Sequence, residues 1–492
     1  MTLRPILLGG LAAILFSSSA LAARMDLTIG MVLEPPGLDP TAEAAAAIDE
    51  VVYANIFEGL TRIGPDGAIM PGLAKKWTIS EDGLSYAFEL REGATFHDGT
   101  TLDASDVVFS LDRARAEDST NAQKALFSAI EKVEATGETT VVVTLSEPSG
   151  AFLYNMGWGD AVIVAPESAD TNKENPVGTG PFKLDNWQRG SAITLSRNEN
   201  YWGEQAKLDK VTFRFIPDPA AATAALLAGD VQAFPNLPAP EAIAQFEADP
   251  RFTVAIGSTE GETILSTNNM KPPFDNIMVR RAMAHAIDRQ AIIDGAMFGL
   301  GTPIGTHFAP HNPAYVELSE TYEYNPEKAK AMLADAGFAD GIKATLKLPP
   351  PSYARRGGEI IASQLREVGI DLEIIPLEWG QWLEQVFRGK DYDLTIVSHT
   401  APNDIDIYAR DDYYFQYENP DFKALIAKLN VTADEEARFD LYRQAQQIIT
   451  DDAVNVYLFQ LAKNGVWDAK LNGLWENSPV QANDVTGVSW SE

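Results

Sequence analysis

The sequence predicts an α/β protein of several domains, and three observations carry that reading. The 492 residues are enough for roughly three domains at about 150 residues each, and 45% of them are hydrophobic, ample for large cores. Strand and helix patterns alternate through the carboxyl-terminal half, an order that favours a mostly parallel sheet. Between residues 77 and 145 the texture changes to paired strands, which marks off a small α+β unit.

At the amino terminus, Arg4 precedes the apolar run Ile6 to Phe16, and Ala20 and Ala22 occupy the small positions of an A-x-A cleavage site. Residues 1–22 therefore read as a secretory signal peptide. The run is too short for a stable bilayer anchor, and no later stretch reaches about 18 apolar residues. There is no cysteine, so an exported chain would carry neither disulfides nor a lipid on cysteine. A soluble chain in a bacterial periplasm is expected.

Thr28 to Val32 reads as the first strand. WTISEDGLSYAFELREG, from Trp77, turns at Glu81 to Gly83 between two strands, and Thr140 to Leu145 is a β-branched run. Val211 to Ile216 is a strand, followed by an alanine-rich helix from Ala220 to Ala228 that Gly229 stops, and a short strand from Val231 to Phe234. Asp275 is placed as the cap of a helix with Val279, Met283 and Ala286 inward; Asn325 caps and Pro326 opens another, closed by Gly337. Ile342 to Leu348 alternates as a half-buried strand. Arg356 to Val368 then puts Ile360, Ile361, Leu365 and Val368 on one helical face before Gly369. The strand Leu372 to Leu377 follows, then a short helix with Trp382, Val386 and Phe387 inward, then the buried strand Asp393 to Ser398. Ligands of open α/β sheets bind beyond the carboxyl ends of strands, and His399 is the first residue past this one.

Composition and motifs exclude several functions. A net charge of −32 argues against nucleic acid, whose phosphates need clustered lysine and arginine. The glycines of VGTGPF (Val177 to Phe182) lack the full G-x-G-x-x-G spacing and no G-K-[ST] follows, so no nucleotide or other cofactor is expected. There is no G-x-S-x-G elbow and no H-E-x-x-H. His307 and His311 are four apart, but Pro310 between them breaks a regular helix face, so no metal site is expected there. A secreted glycoside hydrolase stays as the enzymatic alternative, because the separation of a carboxylate pair is a three-dimensional fact. No catalytic residue is assigned, and a turnover assay separates that class from a receptor.

The stretches WTISEDGLSYAFELREGATFHDGTTLDASDVVFSL (Trp77 to Leu111), VGTGPFKL (Val177 to Leu184), RNENYWG (Arg197 to Gly203) and PPFDNIMVRRAMAHAIDRQAI (Pro272 to Ile292) resemble the family 5 extracellular solute-binding proteins. These are the peptide and nickel type receptors of ABC importers. The resemblance runs through nearly the whole chain after residue 22. It implies two α/β lobes that close on a ligand about two crossover strands, near Leu265 to Asn268 and Val456 to Leu461, with an extra small domain on the first lobe. Lobe I would comprise residues 23–58, 176–262 and 466–492, the small domain 59–175, and lobe II 263–465. The motifs themselves read as structural: Tyr201 and Trp202 as core, Gly203 as a turn, His97 and His285 as framework. The implied partners are a small solute, most often a peptide in this family, and inner-membrane permease subunits with their ATPases. A monomer is expected. Opines, oligosaccharides and other polar metabolites are the alternative solutes.

The predicted grip is the loop SHTAPNDIDIYARDDYYFQY, Ser398 to Tyr417, where His399, Asp404 and Asp406 supply hydrogen bonds and Tyr408 and Tyr413 supply rigid walls. Tyr413, Tyr414, Phe415 and Tyr417 are equally well read as core and interlobe packing. The facing wall is EPPGLDP, with Glu34, Pro36 and Leu38. Trp379, Asn268 and His307 complete the predicted ligand-binding set. In dipeptide-type relatives an aspartate past this strand holds the peptide amine and an arginine near an earlier strand end holds its carboxylate. An ungapped reading puts Pro402 and Leu348 at those positions; Asp404 is a substitute for the first, whereas Arg355 belongs to the following helix. Mass analysis of the exported protein is expected to find an amino terminus near Ala23; retention of residues 1–22 in the membrane fraction would reject the cleavage.

Overall fold

The computed structural model describes residues 25–491 apart from Ala44, Pro402 and Ala433, so the leader expected at residues 1–22 and the Pro402 position lie outside the described residues. No helix among the described residues is long and apolar enough to cross a membrane. A sheet of 11 strands runs through both lobes. At its centre two long strands, Phe252–Thr267 and Asn455–Asp468, pair antiparallel along nearly their whole length. The pairing shifts register between Ser258 and Glu262. On one side of the shift, Val466 and Trp467 pair with Phe234 and Ala233 of lobe I. On the other, Glu262 to Thr267 pair with His399 to Leu394 of lobe II. The crossing therefore falls at 258–262 and 460–463, whereas the expected crossover at Leu265 to Asn268 lies inside lobe II, with Leu265 opposite Ile396.

The parallel arrangement expected for the strand–helix–strand–helix–strand unit of the carboxyl-terminal half is found there, while the sheet as a whole is mixed. Ile342–Leu348 is parallel to both neighbours, Ile370–Pro376 and Leu394–His399, and Asp26–Met31 is parallel to Lys210–Phe215. The long strands and the Phe182–Gln188/Ala192–Arg197 hairpin run antiparallel. Strand–helix–strand connections enforce the parallel pairs, while pairing between residues some 200 positions apart leaves no local pattern. His399 is the last residue of its strand, not the first beyond it. Asn276, not Asp275, caps the helix Ile277–Ala286 by accepting from the Met278 amide. Phe387 is 38% exposed because Leu383–Arg388 winds as a π-helical turn, which rotates it off the buried face of Trp382 and Val386.

The small domain is an antiparallel sheet of Ala74–Ile79, Ser85–Leu90, Thr140–Leu145 and Ile130–Gly137, with the helix Ala104–Arg115 on one face. The four-residue stretch His97 to Thr100 and the glycine and aromatic motifs lock it to lobe I. The buried Glu58 carboxylate accepts from Tyr201 Oη at 2.8 Å, Trp202 Nε1 at 2.9 Å and Thr179 Oγ1 at 2.8 Å. His97 sits over the same turn, with Nε2 2.9 Å from the Gly180 carbonyl and Nδ1 accepting from the Gly178 amide. A Cβ at Gly178 would stand 1.9 Å from the Ile56 carbonyl oxygen, so only glycine allows this approach. Removing the shared acceptor strands one buried donor, Thr179, and two part-buried ones, Tyr201 and Trp202. Glu58→Ala is expected to lower unfolding free energy by about 3 kcal/mol, read from the urea midpoint; a change within about 0.5 kcal/mol would show that the motifs do not depend on it.

Candidate ligand-binding site

His399 ends its strand opposite Glu262, so both side chains leave the same face of the sheet at the joint between lobes. Asn403, at φ 58°, turns the chain into the 3-10 helix Asp404–Ala409 and returns Asp404 toward that face. His307 arrives from a separate loop. Its Nε2 is 2.9 Å from Asp404 Oδ1, and His399 Nδ1 is 3.9 Å from Asp404 Oδ2. The far nitrogens are held by tyrosine hydroxyls: His307 Nδ1 by Tyr408 at 3.1 Å, His399 Nε2 by Tyr414 at 3.0 Å. Burial, with the His307 ring alongside, pushes His399 down to about 4, so the ring is neutral at pH 7. Burial works to raise Asp404, but the two histidines more than offset it and hold the carboxyl below its usual range.

The two crossing strands add further polar groups. Glu260 Oε1 lies 2.5 Å from His311 Nε2, and Gln460 Nε2 donates to the Thr259 carbonyl and reaches His311 Nδ1 at 3.2 Å. Glu262 is 3% exposed and its Oε2 has no hydrogen-bond partner. Burial first, then the nearby Glu260 and Asp404, raises its carboxyl well above the ordinary value. Lys463, also buried, donates to the carbonyls of Trp475 and Asn477, and burial lowers it to about 8. From the small domain Tyr154 faces the same region, raised by burial and by Glu260, with Tyr53 and Tyr442 alongside. Arg438 of lobe II packs against Gly150 of the small domain, so the lobes touch across the opening. On lobe I, a cavity of about 180 Å³ lies at the carboxyl end of Asp26–Met31, lined by Leu33, Glu50, Phe234, Asn236 and Asn483.

The structure gathers His307, His399, Asp404 and Tyr408 into one cluster. Tyr408 is only 1% exposed and orients His307 while accepting from Asn455, so it supports the site from behind. Tyr413 is half-buried against Phe387, and Trp379 is exposed and stacked on Trp382 at 5.2 Å. Tyr414, Phe415 and Tyr417 are core. Three predicted residues are corrected. Asn268 stands beyond the other end of the strand, its amide spent on the Lys390 and Tyr392 carbonyls and Gln416. Glu34 is consumed by Trp187 Nε1 and the Gly190 amide, because its loop folds onto the neighbouring hairpin. Leu38 is fully buried in the lobe I core, whereas Pro36 remains exposed on the rim. Arg355 donates to the Pro349 and Leu377 carbonyls and is not free to meet a ligand. The sequence reading missed Glu260, Glu262, Tyr154 and Lys463. The signal available was the pair of acids around Gly261 inside a strand pattern.

Two α/β lobes joined by a pair of long strands, with polar side chains concentrated at the joint, define a hinged ligand-binding protein. The profile of bacterial extracellular solute-binding proteins, family 5 (middle), matches residues 68–421, and the chain belongs to this family. It is a substrate-binding receptor of the ABC-importer type. It is 30% identical over 468 residues to the dipeptide-binding protein of Escherichia coli (strain K12), over 85% of this chain and 86% of that one. The periplasmic binding protein DppA of Helicobacter pylori, solved with the peptide STSA, superposes with a TM-score of 0.84 at 28% identity, covering 96% of this chain and 99% of that one. The binding protein AgaA of A. tumefaciens R10, solved with agropinic acid, gives 0.83 at 27% identity, covering 95% and 99%.

Two acids, Asp49 of lobe I and Asp160 of the small domain, lie close together where these parts join. Asp160 is 7% exposed and burial pushes it up to about 7; Asp49 is raised by burial and by Asp160. The folded state therefore holds a proton on Asp160 that the unfolded chain releases near pH 4. Stability from this group is complete below the unfolded value and is lost as pH rises toward 7. Between pH 4 and 7 the unfolding free energy of wild type is expected to fall more steeply than that of Asp160→Asn, by at most about 1.4 kcal/mol per pH unit. Equal slopes in urea denaturation would remove Asp160 as the cause.

Proposed function

We propose that this chain captures a short peptide, or a polar solute of similar size bearing an amine, between its lobes in the periplasm. As a monomer it then delivers the solute to inner-membrane permease subunits and their ATPases. The observation that carries the reading is Glu262: a buried carboxyl at the joint, one oxygen without a partner, beside Glu260 and Asp404. A protonated amine satisfies such a group, and lobe closure strips water from the pair. His399, Asp404, Tyr413 and Trp379 form the lobe II wall, backed by His307 and Tyr408, with Pro36 on the opposite rim. The peptide-binding relatives support the same solute class.

A second reading is an opine-like or other polar metabolite. Arg355 favours it, since its guanidinium is held by backbone carbonyls and does not offer the fork that suits a peptide carboxylate. Mass spectrometry of solute carried through native purification, followed by calorimetry with that solute, decides between them. For an amine-bearing solute, Glu262→Gln is expected to weaken binding roughly 10- to 150-fold, about 1.5 to 3 kcal/mol. Wild-type binding should also release a proton from Glu262, visible as a dependence of the heat on buffer ionisation enthalpy. A neutral solute with unchanged affinity in Glu262→Gln would sink the amine reading.

A further inference from the structure

We propose that His307, His399 and Asp404 form a site for one divalent transition-metal ion of the zinc type. Each offers one ligand atom, and these atoms all lie within 4.8 Å of one another. Donors on one tetrahedral ion, with bonds of about 2.0 to 2.2 Å, stand roughly 3.4 Å apart. The observed 2.9 Å from His307 to Asp404 and 3.9 Å from His399 to Asp404 bracket that spacing.

The outer partners are already those of a metal site. A ligating histidine is oriented by a hydrogen bond at its other nitrogen, and both rings have one: Tyr408 for His307 and Tyr414 for His399. A hydroxyl accepts as well as it donates. Each ring can keep a proton on the nitrogen facing tyrosine and leave the nearer lone pair for the ion. The Tyr408 hydroxyl is itself held by Asn455 Nδ2 at 3.2 Å. The three ligands come from a loop, a strand end and a 3-10 turn, with side-chain exposures of 0%, 12% and 15%. They are largely shielded, with His399 and Asp404 retaining slight exposure. Two imidazoles and one carboxylate suit zinc, cobalt or nickel rather than calcium or magnesium, which prefer oxygen. Glu262, on the same face as His399, stands beside the cluster without being counted among its ligands. Three protein ligands leave a fourth position for water or a donor atom of the solute.

The inference does not depend on which solute is carried. Full-length mature protein, stripped with a chelator and dialysed, would be titrated with zinc chloride alone by calorimetry and by competition with a chromophoric chelator. One saturable equivalent is expected. His399→Ala and Asp404→Asn should each weaken it by at least roughly 100-fold, and Tyr414→Phe by roughly 10-fold as an orienting residue. Wild type loaded with cobalt(II) should show the intense visible bands of a four-coordinate ion, a readout that needs no variant to fold. Zinc should raise the melting temperature of wild type and leave that of Asp404→Asn unchanged. The proposal is overturned by the absence of a saturable equivalent, by weak octahedral cobalt bands, or by an equivalent whose affinity survives in both His399→Ala and Asp404→Asn. The last result would place the ion on surface carboxylates and leave His307 and Asp404 as a hydrogen-bonded pair only.

Discussion

The antiparallel pairing of Phe252–Thr267 with Asn455–Asp468 is the constraint on which the molecule rests. Each strand belongs to both lobes, so the same ladder of backbone hydrogen bonds carries one sheet through both and joins them. The register shift between Ser258 and Glu262 is where the ladder changes partners. An irregularity of this kind loosens pairing and bends the strand locally, which suits a joint that must flex while the sheets on either side keep their registers. It also decides which residues occupy the joint: Thr259 to Glu262 from one strand and Gln460 to Lys463 from the other.

Those residues are an unusual choice for the middle of a sheet. Glu260, Glu262 and Lys463 are each less than 9% exposed, and burying ionisable groups costs free energy unless partners compensate. Some compensation is local: Glu260 with His311, Lys463 with two backbone carbonyls. Glu262 remains incompletely satisfied. On the function proposed above, part of the binding free energy is held in reserve at this group, since a ligand supplying the missing donor would relieve the penalty as the lobes meet.

The other organising element is Glu58, which draws together sequence stretches well over a hundred residues apart. Thr179, Tyr201 and Trp202 converge on its carboxylate, and His97 clamps the intervening glycines. This explains why motifs that stand out in the sequence have no part in the cleft. They lock the small domain onto lobe I, and through Tyr154 and Gly150 the small domain brings its own face to the opening.

Much of the architecture was written locally. Ile342–Leu348 begins and ends where alternation placed it, Gly229 and Gly337 end their helices in the positive-φ conformation that glycine tolerates, and Asn325 caps as its side chain predicts. These features depend on neighbours a few residues away, which a single chain displays directly. His399, Asp404, Tyr408 and His307 were legible as polar and aromatic groups near a strand end, but not their mutual arrangement, and Glu34, Leu38 and Asn268 had other partners. The crossing point, the antiparallel centre of the sheet and the acids at the joint were decided only by tertiary structure. Pairing of Glu262 with His399 and with Gln460 spans 137 and 198 residues. No local periodicity records such a contact, because its energy comes from backbone and side-chain partners that meet only when both lobes have formed.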